Sequence, residues 1–450
     1  MLPDNSTHLF SRARGSACIG AVALVSLLAF EAMAVAAAMP AIAVALDGLP
    51  LYALAFGGML ATSVLGMVLA GASCDRHGVL RATAAGLVVF GAGLLLAGCA
   101  HGMAWLVVGR IVQGLGGGML GVALYVGMGQ LVPQSLHPRL FAVLAAAWVL
   151  PGLLGPLVAA WLVEQLGWRS VFLCAAVAVP LAAALLLPAY ARLPRPAHAD
   201  GKAALVPAPL AWAALAALGA LLLHGAGLAP TGMLKWAALA LGLTGVGVAA
   251  SRLLPRGSLR AAPGLPSVIV LRGLLASAFA TTEVFIPLFL TREQGWSLTR
   301  AGLTLSVGAV LWSCGSAVQS RIRLARDRRS ALQAGFGAVL LGITLVTTQV
   351  LTGVSPLLLV CGWALAGFGI GVSFPMLSVL MLSLSASAEQ GRNASALQLS
   401  DALCSSAALA VAGALFNAAG DGGRHGYGLV LVLTLALAAA GVLLARRACP

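Results

Sequence analysis

Fourteen apolar runs, each about 20 residues long and joined by short polar connections, make up most of the chain. That pattern leaves few folds open. In hydrocarbon every backbone N–H and C=O must be satisfied within the protein, which admits helices or closed barrels. Barrel strands read as alternating runs of roughly 10 residues, whereas these runs are longer and unbroken, so helices are expected. Hydrophobic residues make up 61% of the chain and charged ones only 8%. A soluble domain carries about 25% charged residues. The expected fold class is therefore an all-α integral membrane protein with its spans near 18–39, 52–73, 82–100, 104–130, 139–163, 169–190, 208–228, 232–251, 267–291, 299–320, 330–351, 356–384, 393–418 and 427–445.

The net charge of +14 raises the question of nucleic acid. A nucleic-acid binder gathers its basic residues on one face of a folded domain. Here they sit in the connections, and cytoplasmic connections are the ones enriched in Lys and Arg. With the N-terminus placed inside, twenty basic residues fall on the cytoplasmic side and five outside (Arg169, Lys235, Arg292, Arg300 and Arg424), with Arg110 inside a span. One span more or fewer would invert every later connection and erase the asymmetry. Both termini are thus expected in the cytoplasm of a bacterium, the protein in its inner membrane, and no nucleic-acid partner. The first run is too long for a signal peptide and carries Glu31, so it reads as a retained span.

The eight cysteines are scattered singly, with no C-x-x-C or Cys/His cluster, so neither a metal site nor a disulfide framework is expected. Gly116-Gly-Gly118-Met-Leu-Gly121 meets the dinucleotide pattern but lies inside an apolar span. No Walker lysine motif is present, no cofactor is expected, and no catalytic constellation is found.

The chain repeats itself. Gly109, Gly114, Gly116 and Gly118 in the fourth span recur as Gly362, Gly367, Gly369 and Gly371 in the twelfth, and Glu31 in the first span meets Glu283 in the ninth. Residues 1–190 form one six-span half and 267–450 the other. Two further spans (208–251) are inserted between cytoplasmic loops at 191–207 and 252–266. Two parallel halves around a central cavity suit alternating access.

The motifs carry a resemblance. The connection after the second span reads Gly71-Ala-Ser-Cys-Asp75-Arg76-His-Gly78-Val-Leu-Arg81. The fourth span holds Arg110-Ile-Val-Gln113-Gly114. The fifth holds Pro151-Gly152-Leu-Leu-Gly155-Pro156, with Ala159 and Ala160 where closing glycines are usual, and the first ends Met39-Pro40 after Glu31. Together these resemble the major facilitator superfamily, specifically its fourteen-helix drug:proton antiporter branch, with Glu31 replacing an Asp and Val79 a basic residue. The resemblance implies a gating loop at Gly71, Asp75, Arg76, Gly78 and Arg81, in which the Asp and its Arg partners lock one of two states. It also implies that Arg110 takes part in proton transfer.

Only Glu31, Glu283 and Asp401 are acids deep within spans. A charged residue at mid-membrane costs about 2.5–3.5 kcal/mol on insertion scales, so such groups face a cavity or a partner. A carboxyl alternating between a dry pocket and water can take up and release a proton. Proton coupling is therefore expected of Glu31, Glu283 and Asp401, with Arg110, which holds its charge, modulating a neighbour. Arg272, near the start of the ninth span, reads as an interface residue that snorkels. His224 lies alone in an inserted span. Gln113, Trp148 and Gln398 are candidates for the substrate path. The expected function is secondary transport, with protons and a small molecule as partners and a monomer in the bilayer as the working unit. Export of hydrophobic or amphipathic compounds leads, import or flipping of a metabolite or lipid is the alternative, and a membrane receptor or enzyme is remote.

Overall fold

The computed structural model describes residues 9, 15–194, 207–229, 232–321, 328–386, 389–420 and 423–448. Arg12, Arg14, Arg195, Lys202, Arg323 and Arg326 of the charge count, and most of the loop 191–207, lie outside these residues. Among the described residues fifteen α-helices follow one another: α1 (Gly15–Ala45), α2 (Tyr52–His77), α3 (Val79–Gly98), α4 (Met103–Leu131), α5 (His137–Ala146), α6 (Val149–Leu166), α7 (Arg169–Tyr190), α8 (Pro207–Leu228), α9 (Met233–Leu253), α10 (Leu265–Arg292), α11 (Leu298–Arg321), α12 (Arg328–Thr352), α13 (Pro356–Ser383), α14 (Gln390–Ala418) and α15 (Arg424–Leu444). Among the described residues fourteen segments are long and apolar enough to cross a membrane. They coincide with the fourteen expected runs, and the fifth, Arg139–Leu166, is the one made of two helices, α5 and α6.

The break in that span has a local cause. Pro151 has no N–H to give the carbonyl four residues back, Ala147. The Ser26 hydroxyl of α1 donates to Ala147 O instead, at 3.0 Å. The same device recurs in α13: Pro375 leaves the Gly371 carbonyl without its helical donor, and the Ser316 hydroxyl of α11 donates to it at 3.1 Å. Each freed carbonyl ties a neighbouring helix, so the prolines add cross-links where they interrupt the ladder.

The chain forms two compact units. Unit 1 is Met1–Ala38 with Thr62–Ala211, and unit 2 is Met39–Ala61 with Trp212–Pro450. The unit boundary in α1 falls directly before Met39-Pro40. The inserted helices α8 and α9 belong to unit 2.

The repeated glycines explain the packing of each unit. In unit 1 a methyl on Gly109 would lie 2.6 Å from Ala97 N of α3, and one on Gly116 would strike the Phe90 backbone of the same helix; Gly118 abuts the Ser63 carbonyl of α2. In unit 2 Gly362 and Gly369 face the Gly342 and Gly335 carbonyls of α12, and Gly367 and Gly371 face the Gly308 and Trp312 carbonyls of α11. The fourth helix of each repeat thus presses backbone to backbone on the second and third, as small residues permit in lipid. Gly371→Leu has no flexible neighbour to displace, because Trp312 O, C and Cα stand in the way. Its expected cost is about 1–3 kcal/mol, read as a lower midpoint in detergent thermal unfolding.

Burial separates the helices by role. In the span Leu265–Arg292 78% of the apolar window is buried, against 22% in Met233–Leu253. So α10 is the core of unit 2. Along α9, Leu234, Trp236, Leu241 and Leu243 are exposed, as lipid-facing side chains must be.

Candidate functional site

In unit 1 the acid of the first span and the arginine of the fourth meet. Glu31 and Arg110 are 1% and 2% exposed, and Arg110 Nη1 donates to Glu31 Oε1. The same nitrogen donates to Gln113 Oε1 at 3.0 Å. Arg110 and Gln113 are three residues apart, so they stand one above the other on a single helix face. Gln113 is 0% exposed, and its carboxamide oxygen is committed to Arg110. A methyl on Gly93 of α3 would lie 2.5 Å from Gln113 N, so α3 packs directly against α4 at this residue. Thr62 Oγ1 donates to Ile111 O at 2.7 Å, fixing α2 beside the pair. In α6 Pro151, Gly152, Gly155 and Pro156 are all buried. Gly155 sits 3.2 Å, by its missing Cβ, from Met33 Cβ, two residues from Glu31. Trp148 stands at the break before α6 and is 47% exposed.

Unit 2 holds a second ion pair, with the signs exchanged between helices. Arg272 of α10 donates from Nε to both Asp401 oxygens of α14, at 3.0 and 2.9 Å. Its Nη1 donates to Phe374 O and Ser378 Oγ of α13, both at 3.0 Å. The guanidinium lies 3.0 Å from the Phe374 ring centroid. The expectation of an interface snorkel for Arg272 is therefore corrected: it is 7% exposed and spans three helices. Gly273 is the reason α14 can come so near, since a Cβ there would meet Cys404 Sγ at 2.5 Å and Ser400 Oγ at 2.6 Å. The sequence carried one signal for this pair, a basic residue six places inside an apolar run, which its place near the helix start disguised.

Glu283 differs from both. It is half-buried in α10 and makes no hydrogen bond or ion pair among the described residues. Gln398 of α14 is likewise half-buried and unbonded among them. Glu31, Arg110 and Gln113 are thus brought together, as are Asp401 and Arg272, while Glu283 stands apart.

The loop after α2 is built on one required glycine. Gly78 has φ +83°, in the left-handed region that favours glycine, and its N–H closes α2 on Cys74 O at 3.1 Å. Arg76 and His77 occupy the last turn of α2, where a cation suits the helix dipole. Asp75 and Arg81 are exposed, Gly71 has open space beside it, and Asp75 makes no ion pair among the described residues. The described cysteines are free, and no group of three or more metal-ligating side chains forms among the described residues.

The chain is similar to known proteins. The chain is 29% identical over 361 residues to an uncharacterized MFS-type transporter of Mycobacterium tuberculosis, Rv1877, covering 78% of this chain but 52% of that one. The chain therefore spans about half the length of that relative. It is 28% identical over 441 residues to the probable multidrug-efflux transporter Rv1634 of the same organism, covering 92% and 90%. It is 30% identical over 391 residues to the probable actinorhodin transporter of Streptomyces coelicolor, covering 80% and 64%. Among solved structures, a POT family transporter in complex with 5-aminolevulinic acid has a TM-score of 0.72 at 14% identity, covering 98% and 96%. At that identity the likeness shows the fold alone. The sequence profile of the Major Facilitator Superfamily matches residues 21–409, and with fourteen apolar helices among its described residues this chain belongs to that superfamily, as a multi-pass membrane protein.

Proposed function

We propose that the chain is a proton-coupled exporter of hydrophobic or amphipathic small molecules, cations among them, working by alternating access as a monomer in a bacterial inner membrane with both termini inside. One observation carries the reading: Glu31, 1% exposed, is bonded to a buried Arg110. Arg110 keeps its proton under ordinary conditions, so a change of charge within the pair occurs on Glu31. A carboxyl that must alternate between this pairing and protonation links proton traffic to conformation. Glu283 is the corresponding acid of the second half, and Asp401 is a further acid held by Arg272. The exposed Asp75, free of an ion pair among the described residues, fits the released form of the gating loop Gly71–Arg81. Exposed Trp148 and half-buried Gln398 are the candidates for the substrate path. A relative named for multidrug efflux supports export over import, and one named as an actinorhodin transporter fits a small-molecule substrate.

The test is an accumulation and resistance screen over cationic dyes and antibiotics, repeated with purified protein in proteoliposomes under an imposed pH gradient. Export against the substrate gradient, driven by protons moving inward, is expected. Substrate uptake driven inward by external acid would replace the reading with an importer, and no movement under any gradient would end it.

A further inference from the structure

The inserted helix α8 belongs to neither six-helix repeat, yet it contains a buried histidine. His224 is 4% exposed, and its Nε2 has no hydrogen-bond partner among the described residues. The ring lies within hydrogen-bonding reach of the Ser406 backbone of α14. It also presses on α2: a methyl on Gly57 would collide with His224 Nε2 and Cε1, and would lie 3.3 Å from Leu409 Cβ of α14. The Gly57 carbonyl in turn accepts from Ser406 Oγ at 2.8 Å. Three helices of unit 2 therefore converge on one residue that has no side chain.

The seam continues on both sides of this point. A methyl on Gly413 of α14 would lie 2.7 Å from Ala53 Cβ of α2, and one on Gly227 of α8 would lie 3.0 Å from Ala414 Cβ. Asn417 Nδ2 donates to Pro50 O at 3.0 Å. Small residues alone would hold such a seam, and an apolar side chain would fill the place of the ring without leaving a bare buried nitrogen. The choice of histidine calls for another explanation.

We propose that His224 is a positioning residue for transport: its neutral ring pins the outer half of α2 (Tyr52–Ala61) onto α14, and its bare Nε2 is the atom that gains water or a proton when that seam opens. The inserted helix thereby becomes part of the moving machinery. No carboxylate stands ready to meet an imidazolium here. Tyr52 on α2, Asp401 and Cys404 on α14, Glu283 on α10 and Lys235 and Arg252 on α9 make no hydrogen bond or ion pair with the ring among the described residues. A charge buried in the closed seam would lack a partner, so acid is expected to loosen it. The role rests on the alternating-access reading, but the seam can be measured without any transport.

The experiment places Pro50→Cys and Asn417→Cys in a background freed of native cysteines and follows oxidative cross-linking in proteoliposomes. His224→Ala is expected to slow cross-linking about fivefold, the factor a modest loss of contact free energy gives. His224→Gln, which fills the site but cannot titrate, is expected to match the parent at about pH 7.5 and to outpace it about threefold at about pH 5.5, the range over which histidine commonly changes charge. Taking the ratio of parent to Gln variant at each pH cancels the pH dependence of thiol oxidation. An unchanged rate in His224→Ala overturns the proposal. So does a flat ratio with a slowed Ala variant, because that is packing alone. Should His224→Ala fail to insert, the Gln ratio decides. None of these results depends on whether protons drive export.

Discussion

Glu31→Gln combined with Arg110→Gln is expected to abolish response to a pH gradient, by about 100-fold in initial rate, the scale of loss when a positioned proton-transfer group is removed, while substrate still moves down its own gradient. The double variant is the sharper test because the two single variants carry different structural costs. Breaking a buried pair by removing one partner costs about 3–5 kcal/mol, since a charge is left uncompensated. Glu31→Gln takes from Arg110, which cannot shed its proton, its carboxylate partner, while the neutral acceptor Gln113 Oε1 stays at 3.0 Å. Arg110→Gln strands a carboxyl, which can become neutral by taking a proton. The order of folded yield is therefore expected to be parent, then Arg110→Gln, then Glu31→Gln, with the double variant recovering much of the loss. Thermal unfolding of the four proteins closes a double-mutant cycle, and neighbours bonded this directly commonly couple by about 0.5–3 kcal/mol. Undiminished gradient-driven transport in the double variant would remove Glu31 from the mechanism, whatever the stabilities show.

The span count was legible because lipid imposes a length on every crossing and a sign on every connection, and both are written locally. The glycine register was legible as a repeat, and its meaning is now physical: Gly109, Gly116 and Gly118 in α4, like Gly362, Gly367, Gly369 and Gly371 in α13, meet the backbone of the second or third helix of their own repeat. What escaped the sequence depends on which faces turn toward each other. Gln113 read as a candidate for the substrate path, but its face of α4 is covered by α3 at Gly93, and its oxygen is held by Arg110. Arg272 read as an interface residue, because nothing in the chain near it announces Asp401, 129 residues away. The Ser26 and Ser316 hydroxyls, which take up carbonyls released by prolines in distant helices, carry no local signal at all. The adjoining ends of the first two spans, Met39–Ala61, also pack with the second half, in unit 2. The motif pattern, which assigns residues to halves by order, has no means of expressing that.

Within unit 2 the structure distinguishes two acids that the sequence offered for the same role. A coupling carboxyl has to change charge during each cycle, and the bonds it makes set what that change disrupts. Asp401 is bonded through both oxygens to Arg272, whose guanidinium also holds Phe374 O, Ser378 Oγ and the Phe374 ring. Protonating Asp401 would strand that cation among three helices. Glu283 has no such bond to lose among the described residues. Glu283→Gln is therefore expected to lower gradient-driven transport about tenfold or more, the scale of losing one proton-transfer group, with a melting midpoint within about 2 °C of the parent. Asp401→Asn is expected to do the reverse. With its side chain 21% exposed, against 1% for Glu31, solvent screens part of the loss. A cost of about 1–3 kcal/mol follows, or a midpoint lowered by roughly 3–8 °C, with the response to the pH gradient retained. The opposite pattern, an insensitive Glu283→Gln and an uncoupled Asp401→Asn, would move the coupling in this half onto the Arg272–Asp401 pair. The two halves would then carry the same device, an acid held by a buried arginine, with the acid on the first helix in one and on the fifth in the other.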